Sequence, residues 1–255
     1  MDYRATFDAV ADVYDAVRPS YPEAVIEEII SLAHLNEDSS LLEVGVGTGQ
    51  ITRPFAERGC RVTGLELGSN LAAFAQRNLS AFPNVTILNT AFEDYQAHES
   101  FDLLLSAQAF HWIEPDFGLR KTAELLKPDG KIALVWQLDK SSQTPFYKAT
   151  TPYFERYVSV ADDPERPTPP ARLEDYTRAL ENSPLFSTPR TWSTSWQTTY
   201  SKDDYLKLLQ TFSPVIGLEP KPRAAFLGEV ARVLDDFGGA VERFYETVLL
   251  FAVKR

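Results

Sequence analysis

LLEVGVGTGQ, residues 41–50, is a short apolar run that ends in three alternating glycines. The run predicts a buried strand over Ser39–Val44 (SSLLEV), and Gln50–Arg58 predicts a helix stopped by Gly59. Gly45, Gly47 and Gly49 between them let the backbone turn sharply and let a ligand approach the main chain. The helix that follows offers free N–H groups at its start. In a doubly wound sheet this turn lies at the carboxyl ends of the strands, where ligands bind.

The same alternation extends outward from the turn. YPEAVIEEIISLAHL (21–35) carries apolar residues at helical spacing. Arg61–Leu65 predicts a second strand ending at Glu66, Asn70–Leu79 a helix, Val85–Asn89 a third strand and Phe101–Ser106 a fourth. Leu119–Leu126 reads as helix, and the turn KPDG (127–130) leads into a fifth strand, Lys131–Trp136. Strands alternating with helices imply a parallel sheet covered on both faces. After Trp136 the pattern changes. Residues 138–185 are polar and proline-rich around PERPTPP (164–170), with aromatic helix candidates at 145–158 and 171–182. Their aromatic residues need packing partners, so we read an ordered insertion that caps the domain. Phe186–Tyr200 reads as strand despite Pro189, 203–211 and 224–237 as helices, and Val241–Lys254 as a final strand. The expected organisation is one domain over 1–255. It comprises an N-terminal lid and first helix (1–35), a cofactor-binding core (36–137), the cap (138–185) and C-terminal strands and helices (186–255).

Composition narrows the function. The net charge of −11 disfavours a nucleic-acid surface, which needs clustered Lys and Arg. Cys60 is the only cysteine, so no intrachain disulfide forms, and His34, His98 and His111 are too scattered for a metal cluster. We expect no metal. No apolar run approaches the ~20 residues needed to span a bilayer, and the first residues lack a secretory pattern. The expectation is a soluble, cytoplasmic protein, monomer or homodimer, acting on a small molecule without nucleic-acid or membrane partners.

Two cofactors suit a glycine-rich turn followed, at the end of the next strand, by an acid. Glu66 is placed to accept hydrogen bonds from both hydroxyls of a ribose. The dinucleotide fingerprint G-x-G-x-x-G would put its third glycine at position 50, which is Gln. The observed form is E-x-G-x-G-x-G, and the carboxylate of Glu43 would repel a pyrophosphate. It suits a ligand with a cationic amino-acid end. With this spacing the sequence resembles the class I S-adenosylmethionine-dependent methyltransferases.

That resemblance implies a Rossmann-like, seven-stranded, mostly parallel sheet with an antiparallel last strand, helices on both faces, an N-terminal lid and a cap inserted after the fifth strand. It implies S-adenosylmethionine bound by Glu43, Gly45, Gly47, Gly49, Glu66 and Leu67. In the family the adenine is held after the third strand, here Thr90-Ala91-Phe92-Glu93-Asp94. Many members carry Asp where Ala91 stands. Either Glu93 takes that role or Phe92 does, and Phe92 reads equally well as core. Ser106 and Gln108, after the fourth strand, fall beside the methionine part. SAQAFHWI (106–113) and FDAVADVYDAVRPSYP (7–22) resemble a small-molecule branch that includes trans-aconitate methyltransferase-like enzymes. The implied function is methyl transfer to a small molecule, a carboxylate among the candidates. The alternatives are a non-catalytic S-adenosylmethionine-binding module and an NAD-dependent oxidoreductase. Tyr14 and His111 are the candidate catalytic residues, His111 as a general base or as pocket wall. Arg18, Tyr21, Trp112 and Trp136 are the candidate substrate residues.

Overall fold

The computed structural model describes residues 3–158 and 169–255. Residues 164–168 of the PERPTPP cluster lie outside the described residues. In chain order the helices are α1 Ala11–Val17, α2 Glu23–Ala33, α3 Thr52–Glu57, α4 Ser69–Asn78, α5 Pro115–Leu125, α6 Pro145–Tyr157, α7 Pro169–Asn182, α8 Lys202–Gln210, α9 Ser213–Ile216 and α10 Pro220–Asp236. The strands are β1 Ser40–Val44, β2 Arg61–Glu66, β3 Val85–Asn89, β4 Phe101–Ala107, β5 Leu126–Asp139, β6 Arg190–Ser201 and β7 Ala240–Val253.

The seven strands form one sheet in the order β3-β2-β1-β4-β5-β7-β6. The pairs β1–β2, β2–β3, β1–β4 and β4–β5 are parallel. β7 runs against β5: Lys140 N donates to Phe244 O, while Lys254 N donates to Gly130 O. The sheet is therefore the Rossmann-like, mostly parallel one that the sequence implies. The chain leaves β1 toward β2 and β3 and returns to β4 on the other side of β1. The crevice at the carboxyl ends of β1 and β4 is thus the topological switch point.

Two layers cover this part of the sheet because neighbouring strand residues point to opposite faces. On one face Leu42, Leu104, Ile132, Leu134 and Trp136 pack with Leu119 of α5 and with Tyr176 and Leu180 of α7. On the other, Leu41, Leu103, Leu105, Ala133 and Val135 pack with Val25, Ile26 and Ile29 of α2 and Phe55 of α3. Cys60 is buried in this second layer, as a small apolar residue.

Four local features differ from the sequence reading. α5 starts at Pro115, ahead of Leu119, because Glu114 caps it by accepting from Asp116 N and Phe117 N, with Pro115 in the first turn. α2 ends at Ala33 because His34 turns left-handed, at φ 54°. KPDG does not precede β5 but bulges within it. Phe101 opposes Leu126 and Leu103 opposes Lys131, so the extra β5 residues loop out around Asp129 at φ 58°. β6 begins after Pro189, and Phe186 contributes only an isolated bridge to Lys254.

The chain divides into two compact units. One comprises Ser20–Leu138, Pro167–Thr194 and Thr247–Arg255, and the other Met1–Pro19, Asp139–Arg166 and Ser195–Glu246. The stretch 138–185, read as a single insertion, is shared between them: α6 belongs to the second unit and α7 to the first. The second unit has its own core, in which Phe146, Tyr205, Leu208, Leu209, Phe226, Val230 and Leu234 are buried. Among the described residues no helix is long and apolar enough to cross a membrane.

Tyr176 ties α7 into the first unit. Its ring lies 5.2 Å from Phe110 and 6.3 Å from Trp136, and its hydroxyl donates to Ile113 O at 3.3 Å. Truncation removes a large buried ring, so Tyr176→Ala is expected to cost about 3–5 kcal/mol in urea unfolding. Tyr176→Phe loses only the hydrogen bond and is expected to cost about 1 kcal/mol. Equal, small losses for both would show that α7 does not belong to this core.

Candidate functional site

The turn after β1 is held by main-chain contacts that leave no room for a side chain at Gly45. Gly45 N and Val46 N both donate to Leu65 O, at 2.9 and 3.1 Å. Gly45 sits at φ 76°, and a Cβ there would lie 2.2 Å from the Ala109 Cβ. Any side chain at position 45 would therefore push apart β1 and the segment that follows β4. Gly47 and Gly49 also take positive φ, 61° and 94°. These are backbone conformations that a non-glycine residue adopts only at a cost.

Two carboxylates flank the turn, and their environments differ. Glu43, on β1, is buried and accepts from the Thr52 hydroxyl of α3 at 2.8 Å. Burial pushes its carboxyl up to about 8; the bond from Thr52 opposes this, and the nearby charge of Glu66 adds to it. Glu66 ends β2. Its Oε2 accepts from Gly47 N at 2.8 Å and its Oε1 from Gly68 N at 2.9 Å. A carboxylate has about four acceptor positions, so Glu66 can brace the turn and still accept from a ribose. Leu67, the next residue, is exposed. Asn89, at the end of β3, donates through Nδ2 to the carbonyls of Glu66 and Leu67. Thr52 and Asn89 were not singled out from the sequence, since a lone Thr in a helix and a lone Asn ending a strand carry no pattern.

The segment after β3 divides its work. Phe92 is buried in the core, its ring 5.6 Å from Phe110 and 6.5 Å from Phe117, so packing accounts for its side chain. Lys121 lies over that ring and donates to the Glu93 carbonyl at 2.7 Å. Glu93 itself is partly buried.

At the end of β4, Ser106 spends its hydroxyl on the Val44 carbonyl at 2.7 Å, which locks β4 to β1. Gln108 follows at φ 58°, rare for a side-chain-bearing residue. Its main-chain N donates to Val135 O and its Nε2 to Gln137 O. His111 is buried in the short 3-10 turn Phe110–Trp112, its ring 4.9 Å from that of Trp112. Trp136 is buried in the core beside Tyr176, and Tyr21 packs against the layer of α2. Tyr14 and Arg18 belong to the other compact unit. There Arg18 lies 4.9 Å over the Tyr14 ring and donates to Thr211 through Nε at 2.9 Å and Nη2 at 2.7 Å.

Three buried polar atoms at the turn and beside it lack partners: Thr48 Oγ1, Gln50 Nε2 and Gln108 Oε1. Buried polar groups are nearly always hydrogen-bonded. Orphaned donors and acceptors around a glycine cradle, between a raised carboxyl and a ribose-competent one, fit a ligand with both an amino-acid end and a nucleoside end.

Comparison with known proteins agrees with this geometry. Residues 42–134 match the family model of a methyltransferase domain. Uncharacterized methyltransferase Rv3342 of Mycobacterium tuberculosis is 32% identical over 136 residues, 53% of this chain and 53% of that protein. "Probable S-adenosylmethionine-dependent methyltransferase CRG1" of Saccharomyces cerevisiae is 27% identical over 147 residues, 56% of this chain and 50% of that one. The chain spans about half the length of these curated relatives. Phosphoethanolamine N-methyltransferase 2 of Haemonchus contortus was solved with phosphomonomethylethanolamine and S-adenosylhomocysteine. It superposes with a TM-score of 0.59 at 16% identity, over 100% of this chain and 60% of that one, a likeness of fold. Residues 42–134 thus resemble a methyltransferase domain, carried on a Rossmann-like sheet.

Proposed function

We propose that the chain transfers a methyl group from S-adenosylmethionine to a small-molecule acceptor, in the manner of the trans-aconitate methyltransferase-like branch. The observation that carries this is the turn at the switch point, where Gly45 is pressed against Ala109 between Glu43 and Glu66. Glu66 would hold the ribose hydroxyls. Thr48, Gln50 and Gln108 would satisfy the amino-acid end, and Glu43 would supply the negative charge that end prefers. The bound cofactor supplies an electrophilic methyl group on a sulfonium, a leaving group that needs no protein acid. The protein's share is alignment and exclusion of water, which in well-oriented systems is worth up to ~7–11 kcal/mol. A carboxylate acceptor needs no base. His111, its ring tilted at 41° to that of Trp112, suits a rigid pocket wall, and we offer it as the histidine that would accept a proton should the acceptor carry one.

Calorimetry with S-adenosylmethionine, and with NAD as control, tests the assignment. Glu66→Ala leaves ribose hydroxyls and two main-chain donors unpaired, a cost of roughly 1–3 kcal/mol. It is expected to weaken cofactor binding by about 5- to 150-fold. Gly45→Ala should abolish binding, with the melting temperature lowered. Unchanged affinity in Glu66→Ala, or tighter binding of NAD, would overturn the assignment, and turnover of a metabolite panel tests transfer itself.

The raised carboxyl of Glu43 gives a pH signature. Folding holds its proton more tightly than the unfolded chain does. Its contribution to stability is therefore fully present below about 4.5, the ordinary value, and is lost as pH rises through about 8. A cationic ligand favours the charged form. Binding at pH 7 should therefore release a proton from Glu43, and affinity should rise with pH up to about 8. Glu43→Gln is expected to flatten both the stability slope and the proton release. Calorimetry in buffers of different ionisation enthalpy measures the release, and an equal release in Glu43→Gln would remove Glu43 from the site.

A further inference from the structure

The unit that contains α6, α8 and α10 buries a cation that methyl transfer leaves unused. Arg243, on β7, is 5% exposed. Its Nη2 donates to Asp139 Oδ2 at 2.5 Å, and that carboxylate is 37% exposed. Its Nε is shielded from water and has no hydrogen-bond partner. The rings of Tyr245, Phe212 and Tyr147 lie 4.9, 5.4 and 6.0 Å from the guanidinium carbon. A second cation shares one of these rings: Arg18 lies 5.2 Å from the centroid of Phe212. Both hydrogen bonds of Arg18 end on neutral oxygens of Thr211. Tyr200 lies in the field of both guanidiniums.

Structural packing explains only part of this. Rings against a guanidinium contribute roughly 0.5–2 kcal/mol each by attraction to the cation. That attraction acts through the ring face and gives an in-plane N–H no acceptor. A buried donor without an acceptor costs about 1–3 kcal/mol. Two cations gather on one phenyl ring, and of the two Arg243 is ion-paired, with the half-exposed Asp139, in a chain whose net charge is −11. An oxyanion would give Arg243 Nε its missing acceptor, because guanidinium edges match the oxygens of carboxylate and phosphate. Half-buried Arg18, Tyr14, Tyr147 and Phe212 form the rim of the cluster.

We propose that this arginine–tyrosine cluster is a binding site for an oxyanion, the carboxylate or phosphate group of a small metabolite, with Arg243 Nε as the anchoring donor and Arg18 as the second cation. The site stands on this unit alone and does not depend on the methyltransferase assignment.

The test titrates the full-length protein with citrate and, separately, with inorganic phosphate, at constant ionic strength set by chloride. Saturable binding of either probe is expected, citrate indicating a carboxylate ligand and phosphate a phosphorylated one. Arg243→Lys keeps the charge but loses the planar fork, and Arg18→Gln removes the outer charge. Each is expected to weaken binding at least tenfold while the melting temperature of Arg18→Gln stays near that of the parent. A cation with only a structural role would leave anion affinity unchanged in Arg243→Lys. The proposal is overturned if neither probe saturates, or if both variants bind as the parent does. Should Arg243→Lys fail to fold, Arg18→Gln and Tyr147→Phe decide by the same criterion. S-adenosylmethionine affinity, measured on the same samples, separates a failure here from a failure of the methyltransferase assignment.

Discussion

The closeness of Gly45 to Ala109 is the constraint on which the candidate site depends. It brings the end of β1 against the segment after β4, at the one place where the strand order reverses. Ser106 holds the same two strands together through the Val44 carbonyl, and Leu65 receives two main-chain donors from the turn. These contacts fix the turn, and the approach of Ala109 together with the positive φ of Gly45 is why glycine and not merely a small residue is required there.

The two acids beside the cradle show how burial separates roles for one chemical group. Glu66 accepts two main-chain hydrogen bonds, which hold its carboxylate in place as a fixed acceptor. Glu43 is more deeply buried, accepts one hydroxyl, and is pushed toward its neutral form. A neutral Glu43 can stay buried without an uncompensated charge, and in the proposed complex it would become the counter-ion of a cation. Perturbed ionisation in a cleft of this sort is a mark of binding sites.

Most of this was legible in the sequence because it rests on local patterns. Continuous apolar runs marked β4 and β5 as strands buried on both faces, and glycine spacing with an acid before it distinguished the turn from a dinucleotide fingerprint. Contacts made across the fold were not legible. Thr52 under Glu43, Asn89 under the β2 loop and the cap of α5 at Glu114 each depend on a partner or a geometry that spacing alone does not announce. KPDG was visible as a turn, but whether a turn sits between elements or bulges within a strand is decided by the partner strand's register. Phe92 illustrates the converse. A position that the family resemblance offers for adenine is filled here by a ring that the core of Phe110 and Phe117 already uses.

The interior also separates charges that composition averages together. The acidity of the chain argues against a broad polyanion surface, yet it says nothing about single buried cations. Arg243 and Arg18 lie among rings supplied by elements distant in sequence, α1, β7 and the segment around Thr211 and Phe212, so no window of residues reveals them as a pair. Desolvation makes a buried ion cost far more than a surface one, so each that persists must be answered by a partner. The raised carboxyl of Glu43 and the unpaired edge of Arg243 are places, among the described residues, where that answer is incomplete. The partners proposed for them have opposite sign, a cation at the glycine turn and an oxyanion among the tyrosines.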